Sequence, residues 1–245
     1  MNLIKKLKHL KSNDHHFVLN YHGRSSHKQV DIRETEVFGP IAKEVIGSGK
    51  TYLYYDRLFT IYNALINLHR VASINEKLFL LEAGVYKGGG SYFMASILDQ
   101  LGLSNYHLYS VDTFEGHSAL DLEDNSSDGA QKPGEFHETS FETVQSYLSK
   151  FPNVTVCKGR IQDVAVGLED KKFGLVHLDM DIYQPTLFSL NFFNDRLIPG
   201  GIIVLDDYGF VSCPGVKKAV DEFLISNPSF NVFPLLSGQC LLLKY

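Results

Sequence analysis

Cysteine is scarce in this sequence of 245 residues, where Cys157, Cys213 and Cys240 stand far apart and odd in number. A disulfide framework needs cysteines in pairs and a cysteine-rich zinc site needs them closely spaced, so neither is indicated. We therefore interpret the three cysteines as small core residues. Their use is that of a protein in a reducing compartment, and we expect a cytoplasmic location.

Long apolar runs and an excess of positive charge are also missing. No run approaches the roughly 18 apolar residues of a membrane helix, and no signal-peptide stretch opens the sequence, so we expect no membrane span. The formal net charge is −5. Such a chain has no basic field to collect phosphates, which argues against a nucleic-acid partner and leaves small neutral substrates open.

The first eleven residues combine apolar and basic side chains at helical spacing. The apolar ones are Leu3, Ile4, Leu7 and Leu10, and the basic ones are Lys5, Lys6, Lys8 and Lys11. A membrane-surface helix is one interpretation, but a short basic helix more often packs on its own domain or on a subunit partner. We expect a homo-oligomer, specifically a dimer.

From about Leu78 onward, short apolar runs alternate with segments of helical period, which indicates a parallel sheet covered on both faces. The predicted strands are Leu78–Ala83, His107–Asp112, Val154–Lys158, Leu175–Asp179, Ile202–Asp206 and a hairpin of Phe230–Pro234 with Gln239–Lys244. The predicted helices are Ser91–Leu101, Phe141–Phe151, Pro185–Leu197 and Val216–Ser226, with Pro199-Gly200-Gly201 as a helix stop. The sequence thus predicts one α/β domain at 78–245 behind an N-terminal helical extension at 1–77.

A long loop, Thr113–Glu138, follows the second predicted strand. It holds the carboxylates of Glu115, Asp121, Glu123, Asp124, Asp128, Glu135 and Glu138 against the single Lys132. Loops of this length in a compact domain are usually functional or disordered. An active-site lid and a solvated acidic surface loop both remain open.

The first strand leads into a glycine-rich turn and a helix, with the sequence Leu80-Leu81-Glu82-Ala83-Gly84-Val85-Tyr86-Lys87-Gly88-Gly89-Gly90-Ser91. Glycines let the backbone approach a ligand, and a helix N-terminus offers unpaired N–H groups, as in nucleotide sites. The spacing fits neither a P-loop nor a GxGxxG motif. Glu82 at the strand end would repel a pyrophosphate and attract an ammonium or sulfonium group, which favours S-adenosylmethionine over NAD.

Two further segments complete the predicted cofactor site. Asp112 ends the second strand, where an acid commonly accepts hydrogen bonds from ribose hydroxyls. Gly159-Arg160-Ile161-Gln162-Asp163 follows the third strand and is placed to surround an adenine, although Asp163 by itself could equally be a helix cap or a surface acid. The candidate cofactor-binding residues are Glu82, Ala83, Gly84, Tyr86, Gly88, Ser91, Asp112, Thr113, Phe114, Arg160, Gln162 and Asp163.

Four carboxylates fall at the ends of two successive strands, where open α/β sheets bind ligands. They are Asp179, Asp181, Asp206 and Asp207. Like charges raise one another's pKa unless a cation neutralises them, so a hard divalent metal is the natural explanation, and an all-oxygen ligand set favours magnesium, manganese or calcium over zinc. Solvent-facing turn aspartates are the alternative. His177, in an apolar strand, is interpreted as a core histidine rather than a ligand.

Together these motifs resemble the macrocin O-methyltransferase family, whose members methylate deoxysugars on macrolide and aminocoumarin antibiotics and related glycans. The matching segments are Leu81-Glu82-Ala83-Gly84-Val85-Tyr86-Lys87-Gly88-Gly89, Val111-Asp112-Thr113-Phe114-Glu115-Gly116, Leu178-Asp179-Met180-Asp181, Pro199-Gly200-Gly201 and Leu205-Asp206-Asp207-Tyr208. Upstream, Tyr55-Asp56-Arg57-Leu58 resembles the family's segment that closes over the methionine end of the cofactor. The first forty residues and the acidic loop match poorly, and such regions shape the acceptor pocket.

The resemblance implies a Rossmann-like class I methyltransferase fold, with a seven-stranded, mostly parallel sheet whose last strand is antiparallel. It also implies a magnesium or manganese ion held by Asp179, Asp206 and Asp207, and Asp181 as general base. If Asp181 were a metal ligand instead, His117 and His137 would be the next candidates for the base. The expected function is transfer of a methyl group from S-adenosylmethionine to a metal-bound hydroxyl of a sugar or glycosylated small molecule.

Three other functions stay open at this point. A methyltransferase for catechol-like phenols would use similar metal chemistry, and a metal-dependent hydroxylase or hydrolase could use the same sheet with another cofactor. A catalytically silent S-adenosylmethionine-binding module is disfavoured, because such a site has no need to hold four repelling carboxylates.

Overall fold

The computed structural model of the protein describes residues 31–71, 77–126 and 131–245. The predicted basic helix at the N-terminus and residues 127–130 of the acidic loop lie outside this part. The helices in the described part are α1 Phe38–Gly47, α2 Tyr55–Val71, α3 Gly89–Gln100, α4 Phe141–Leu148, α5 Ile161–Val164, α6 Tyr183–Asn194 and α7 Pro214–Ser226. Short 3₁₀ turns lie at Ile32–Glu34, Leu122–Asp124 and Ala165–Leu168.

A seven-stranded sheet forms the centre of the molecule. Its strands are β1 Leu78–Ala83, β2 Tyr106–Asp112, β3 Val154–Lys158, β4 Phe173–Leu178, β5 Leu197–Leu205, β6 Phe230–Pro234 and β7 Cys240–Lys244. They lie in the order β3-β2-β1-β4-β5-β7-β6, and β7 runs antiparallel to both β5 and β6. The predicted fold class, a mostly parallel sheet with an antiparallel last strand, is confirmed.

Both faces of the sheet are covered, which explains why the central strands read as continuous apolar runs. Successive side chains of a strand point to opposite faces. Leu80 packs with Phe38 and Phe93 in one core, and Leu81 packs with Phe193 and Val220 in the other. Every residue of β4 is buried. The sheet edge with the strand ends is therefore the part of this scaffold left open for a ligand.

The described part of the N-terminal segment shares the core of the sheet domain. Phe38 of α1 meets Phe93 of α3 edge to face, with ring centroids 5.9 Å apart. Phe59 of α2 also packs edge to face on the ring of Phe38, with ring centroids 5.1 Å apart. None of the helices in the described residues is long and apolar enough to cross a membrane.

The predicted helix stop at Pro199-Gly200-Gly201 is wrong. Helix α6 ends at Asn194, and the three residues lie inside β5. Strand β5 pairs Leu197 with Phe173 and Ile202 with Leu175, so it carries extra residues at that point. Gly200 has a φ of +78°, which suits a bulge rather than a regular strand.

Candidate active site

A cavity of about 790 Å³ opens at the carboxyl ends of β1, β2, β4 and β5. Parallel strands present their carboxyl ends at one edge, which is why segments far apart in sequence meet here. Most of the predicted site residues line it, namely Glu82, Ala83, Gly84, Tyr86, Asp112, Thr113, Arg160, Gln162, Asp179, Asp181 and Asp207. The volume lies in the range of small-molecule sites.

Five predicted site residues do not line the cavity: Gly88, Ser91, Phe114, Asp163 and Asp206. Gly88 sits at the start of α3 with a φ of +90°. Phe114 packs on Phe141 at 5.8 Å. Asp163 is exposed and pairs with Arg160 at 2.9 Å, which matches the surface-acid alternative. Ser91 and Asp206 are buried behind the cavity wall.

The glycine turn brings β1 against the end of β4. Gly84 has a φ of +89°, and a Cβ there would lie 1.7 Å from the carbonyl oxygen of Asp179, so only glycine fits. Asp112 braces this turn by accepting hydrogen bonds from the backbone N–H groups of Val85 (2.7 Å) and Tyr86 (2.8 Å). The carboxylate predicted to hold a ribose thus also shapes the loop that faces it.

Glu82 belongs to a buried polar chain rather than standing alone at the strand end. It accepts hydrogen bonds from the Ser91 hydroxyl and from His177 Nδ1, the latter at 3.1 Å. On its other side, His177 Nε2 lies 3.7 Å from Asp206, beyond hydrogen-bond distance. Burial by itself would lower the pKa of His177, but the two carboxylates outweigh it and raise the pKa to about 10. The two carboxylates therefore favour the protonated form of this buried imidazole.

Arg57 of α2 supplies a partly buried cation. Its guanidinium pairs with Asp206, which also accepts a hydrogen bond of 2.8 Å from Gln239 Nε2. Burial would raise the pKa of Asp206, yet Arg57 and then His177 more than offset this and lower it. Asp206 is therefore held as a charged carboxylate behind the cavity. The segment Tyr55-Asp56-Arg57-Leu58, which resembles the family's segment that closes over the cofactor, reaches the site through this ion pair.

Asp179 and Asp207 lie in the cavity wall without comparable compensation. Burial first, and neighbouring carboxylates second, raise the pKa of both groups well above the usual value. Asp207 Oδ2 is buried and accepts no hydrogen bond from the described residues. A hard divalent cation fits these two carboxylates, because it would neutralise the crowding and use the open oxygen. Asp206 would have to be shared with Arg57.

The distances divide the acidic groups differently from the predicted metal triad. Single ligand atoms of His177, Asp179 and Asp206 lie within 4.8 Å of one another, and so do those of Asp181, Asp207 and Cys213. The set of Asp179, Asp206 and Asp207 therefore stays a prediction, with Asp179 and Asp207 better exposed to the cavity than Asp206.

Asp181 faces the cavity on a left-handed backbone, with a φ of +64°. One carboxylate oxygen lies 3.1 Å from His117 Nε2, and the other lies 3.5 Å from Cys213 Sγ. Burial, followed by the charge of Asp207, raises the pKa of Cys213 well above its usual value, so the sulfur keeps its proton and donates a hydrogen bond to Asp181. Cys213 was interpreted as a core residue only, and no local motif connects it with Asp181.

The described part of the acidic loop forms one wall of the cavity, through residues that include His117, Gln131 and Phe136. Two backbone hydrogen bonds fasten it, from His117 N to Glu135 O and from Gly134 N to His117 O, both 2.9 Å. His137, the other reserve base, is exposed and does not line the cavity. The described part of the loop therefore lines the site, and the active-site lid stays a prediction.

The same loop is anchored to α6. Asp124 Oδ1 accepts a 2.7 Å hydrogen bond from the backbone N–H of Tyr183, the first residue of that helix. A carboxylate there satisfies an open helical N–H group and complements the helix dipole.

Aromatic rings flank the opening of the cavity. Tyr52 stacks on Tyr86 with ring centroids 5.3 Å apart, and Phe136 meets both rings edge to face. All three residues line the cavity. Sequence reasoning missed Tyr52 and Phe136, since neither belongs to a recognisable motif.

The model of one protein family, described as Macrocin-O-methyltransferase (TylF), matches residues 53–228. The chain belongs to this family. The chain is also similar to the 8-demethyl-8-(2,3-dimethoxy-alpha-L-rhamnosyl)-tetracenomycin-C 4'-O-methyltransferase of Streptomyces olivaceus. The two are 27% identical over 151 residues, which cover 59% of this chain and 57% of that protein.

A second relative is the mycinamicin III 3''-O-methyltransferase of Micromonospora griseorubida, 27% identical over 153 residues, with 59% of each chain covered. Among solved structures, the O-methyltransferase NovP superposes with a TM-score of 0.68 at 20% identity, covering 80% of this chain and 82% of that one. The match therefore spans less than two thirds of the length of these two curated relatives, and the NovP likeness shows the shared fold.

Proposed function

We propose that the protein is an S-adenosylmethionine-dependent O-methyltransferase that methylates a hydroxyl of a sugar or of a glycosylated small molecule. The observation that carries this proposal is the carboxylate of Asp181, held between His117 and Cys213 and open to a cavity beside the glycine turn. Membership of the macrocin O-methyltransferase family supports the reaction, and the O-methyltransferase activities of the two relatives on glycosides support the acceptor class.

The cofactor would supply an electrophilic methyl group on a sulfonium. Gly84 and Tyr86 would line its methionine part, Asp112 its ribose, and Arg160 with Gln162 its adenine, since all five line the cavity in this order around the strand ends. Glu82 contributes negative charge beneath the turn and is already bonded to Ser91 and His177. The charge of Glu82 would act through space on the sulfonium of the cofactor.

A magnesium or manganese ion, held by Asp179 and Asp207 and sharing Asp206 with Arg57, would stabilise negative charge on the acceptor oxygen. Asp181 would receive the proton of the acceptor hydroxyl on a carboxylate oxygen. S-adenosylmethionine would supply the methyl group to the acceptor oxygen and keep the electron pair of the broken C–S bond on sulfur. His117 and Cys213 hold the carboxylate toward the cavity during this step. The wall formed by the described part of the acidic loop would limit the access of bulk water to this step.

Calorimetry with S-adenosylmethionine and S-adenosylhomocysteine tests the cofactor, and labelled methyl transfer to a panel of glycosides and catechols tests the acceptor. We expect binding of both cofactor forms and methylation of glycosides. Tight binding of NAD without heat from either methionine derivative would overturn the cofactor. Methylation of catechols alone would overturn the proposed sugar acceptor.

The free thiols of Cys157, Cys213 and Cys240 are in keeping with a cytoplasmic location.

A further inference from the structure

Two buried acceptor atoms beside Asp181 have no role in the chemistry proposed above. Gln131 Oε1 and His117 Nδ1 are both buried, and neither has a hydrogen-bond partner among the residues that the structure describes. Both side chains line the cavity. Buried polar atoms are rarely left unpaired in a folded protein, so an open pair in a cavity wall indicates groups that a ligand completes.

The bonds that these side chains already make fix what the open atoms require. Gln131 donates from Nε2 to Cys213 Sγ at 3.2 Å, which leaves Oε1 as an acceptor. A carboxylate can only accept, so His117 donates from Nε2 to Asp181, and in the neutral imidazole Nδ1 is then an acceptor. Gln131 Oε1 therefore needs a hydrogen-bond donor from the ligand, and so does Nδ1 of the neutral imidazole.

Gln131 and Asp181 are joined through one side chain. Cys213 Sγ accepts from the Gln131 amide and donates to Asp181 at 3.5 Å. An acceptor molecule whose reacting hydroxyl lies at Asp181 would therefore bring the adjacent part of its ring to Gln131. A sugar carries further hydroxyl donors on that ring, whereas a simple alcohol does not.

We infer that Gln131 is a specificity-determining residue that accepts a hydrogen bond from a second hydroxyl of the sugar being methylated. This inference rests on the proposed function and names the feature of the acceptor that the site recognises. It also assigns a task to the acidic loop, which carries Gln131 into the cavity wall.

Steady-state kinetics of Gln131→Leu test this inference. The probes are methyl α-L-rhamnoside and its 2-, 3- and 4-deoxy derivatives, and Gln145→Leu on the exposed face of α4 is the matched control. We expect Gln131→Leu to raise KM for the rhamnoside about tenfold, the loss of roughly one hydrogen bond, while S-adenosylhomocysteine binding is unchanged. With one deoxy derivative, wild type and Gln131→Leu should have the same KM.

Equal KM values for Gln131→Leu and wild type on the parent rhamnoside would overturn the inference while leaving the proposed function intact. So would a loss of the same size on the parent and on every deoxy sugar that is still methylated. Methylation of catechol by the wild type, with no transfer to any of the sugars, would overturn the proposed acceptor class and this inference with it.

Discussion

Asp181 occupies a backbone conformation that few residues other than glycine adopt, and aspartate is one of those that tolerate it. Residues held in this way cluster at active sites, where the strain places a functional group. Here it turns the carboxylate away from the strand end and toward the cavity, two residues beyond Asp179. The backbone conformation at Asp181 therefore determines which carboxylate can act on the acceptor.

Replacing Asp181 by asparagine should abolish methyl transfer and leave S-adenosylhomocysteine binding intact. An amide of the same shape cannot take the hydroxyl proton, and a positioned base contributes about 10²–10⁴-fold to such reactions. The measurement is kcat with the glycoside that the wild type methylates, with Asp195→Asn at the end of α6 as the matched control. Recovery of the wild-type rate at saturating magnesium would make Asp181 a metal ligand instead.

Asp112→Ala should weaken cofactor binding through the glycine turn as well as through the lost carboxylate. The N–H groups of Val85 and Tyr86 would lose their acceptor, and the loss of a partner for a buried donor costs about 1–3 kcal/mol. Calorimetry with S-adenosylhomocysteine measures the effect, and Asp170→Ala on the surface is the control. Unchanged affinity would exclude Asp112 from the cofactor site.

The sequence predicts each strand of the sheet, because every strand is a local apolar run bounded by turn residues. Three strands, Leu78–Ala83, Val154–Lys158 and Phe230–Pro234, have the predicted bounds. The helix stop at Pro199 failed because a bulge and a helix end use the same residues. The predicted strand ends located the four carboxylates of the site. The partners of Asp181 could not be predicted in this way, because they lie in loops whose folding depends on distant contacts.

Helix α2 should stabilise the site through the side chain of Arg57. Arg57→Leu leaves the buried Asp206 without its principal counter-charge, and breaking a buried pair costs about 3–5 kcal/mol. Urea unfolding in the presence of chelator measures this loss, with the exposed Arg70→Leu as the control.

Magnesium should restore part of the stability lost in Arg57→Leu, because it would replace the guanidinium beside Asp206. If magnesium protects the variant no more than the wild type, cation and guanidinium do not share this carboxylate. A loss under about 1 kcal/mol, the usual value of an exposed pair, would show that Arg57 and Asp206 are solvated.

For the whole molecule, the proposed metal predicts that turnover disappears with a chelator and returns with magnesium or manganese. Binding of S-adenosylhomocysteine should persist without metal, because the residues assigned to the cofactor are separate from Asp179 and Asp207. Activity assays and calorimetry on the same metal-depleted sample distinguish the two steps. Full turnover after exhaustive chelation would leave the crowded carboxylates to be explained by Arg57 and His177.

The position of β7 has a consequence for synthesis of the protein. Although β7 follows β6 in sequence, it lies between β5 and β6, so β6 has no place in the sheet until Cys240–Lys244 has left the ribosome. Gln239, which completes the hydrogen bonding of Asp206, arrives with the same segment. A nascent chain that has made every residue through β6 therefore still has an open sheet edge at β5 and an unfinished site.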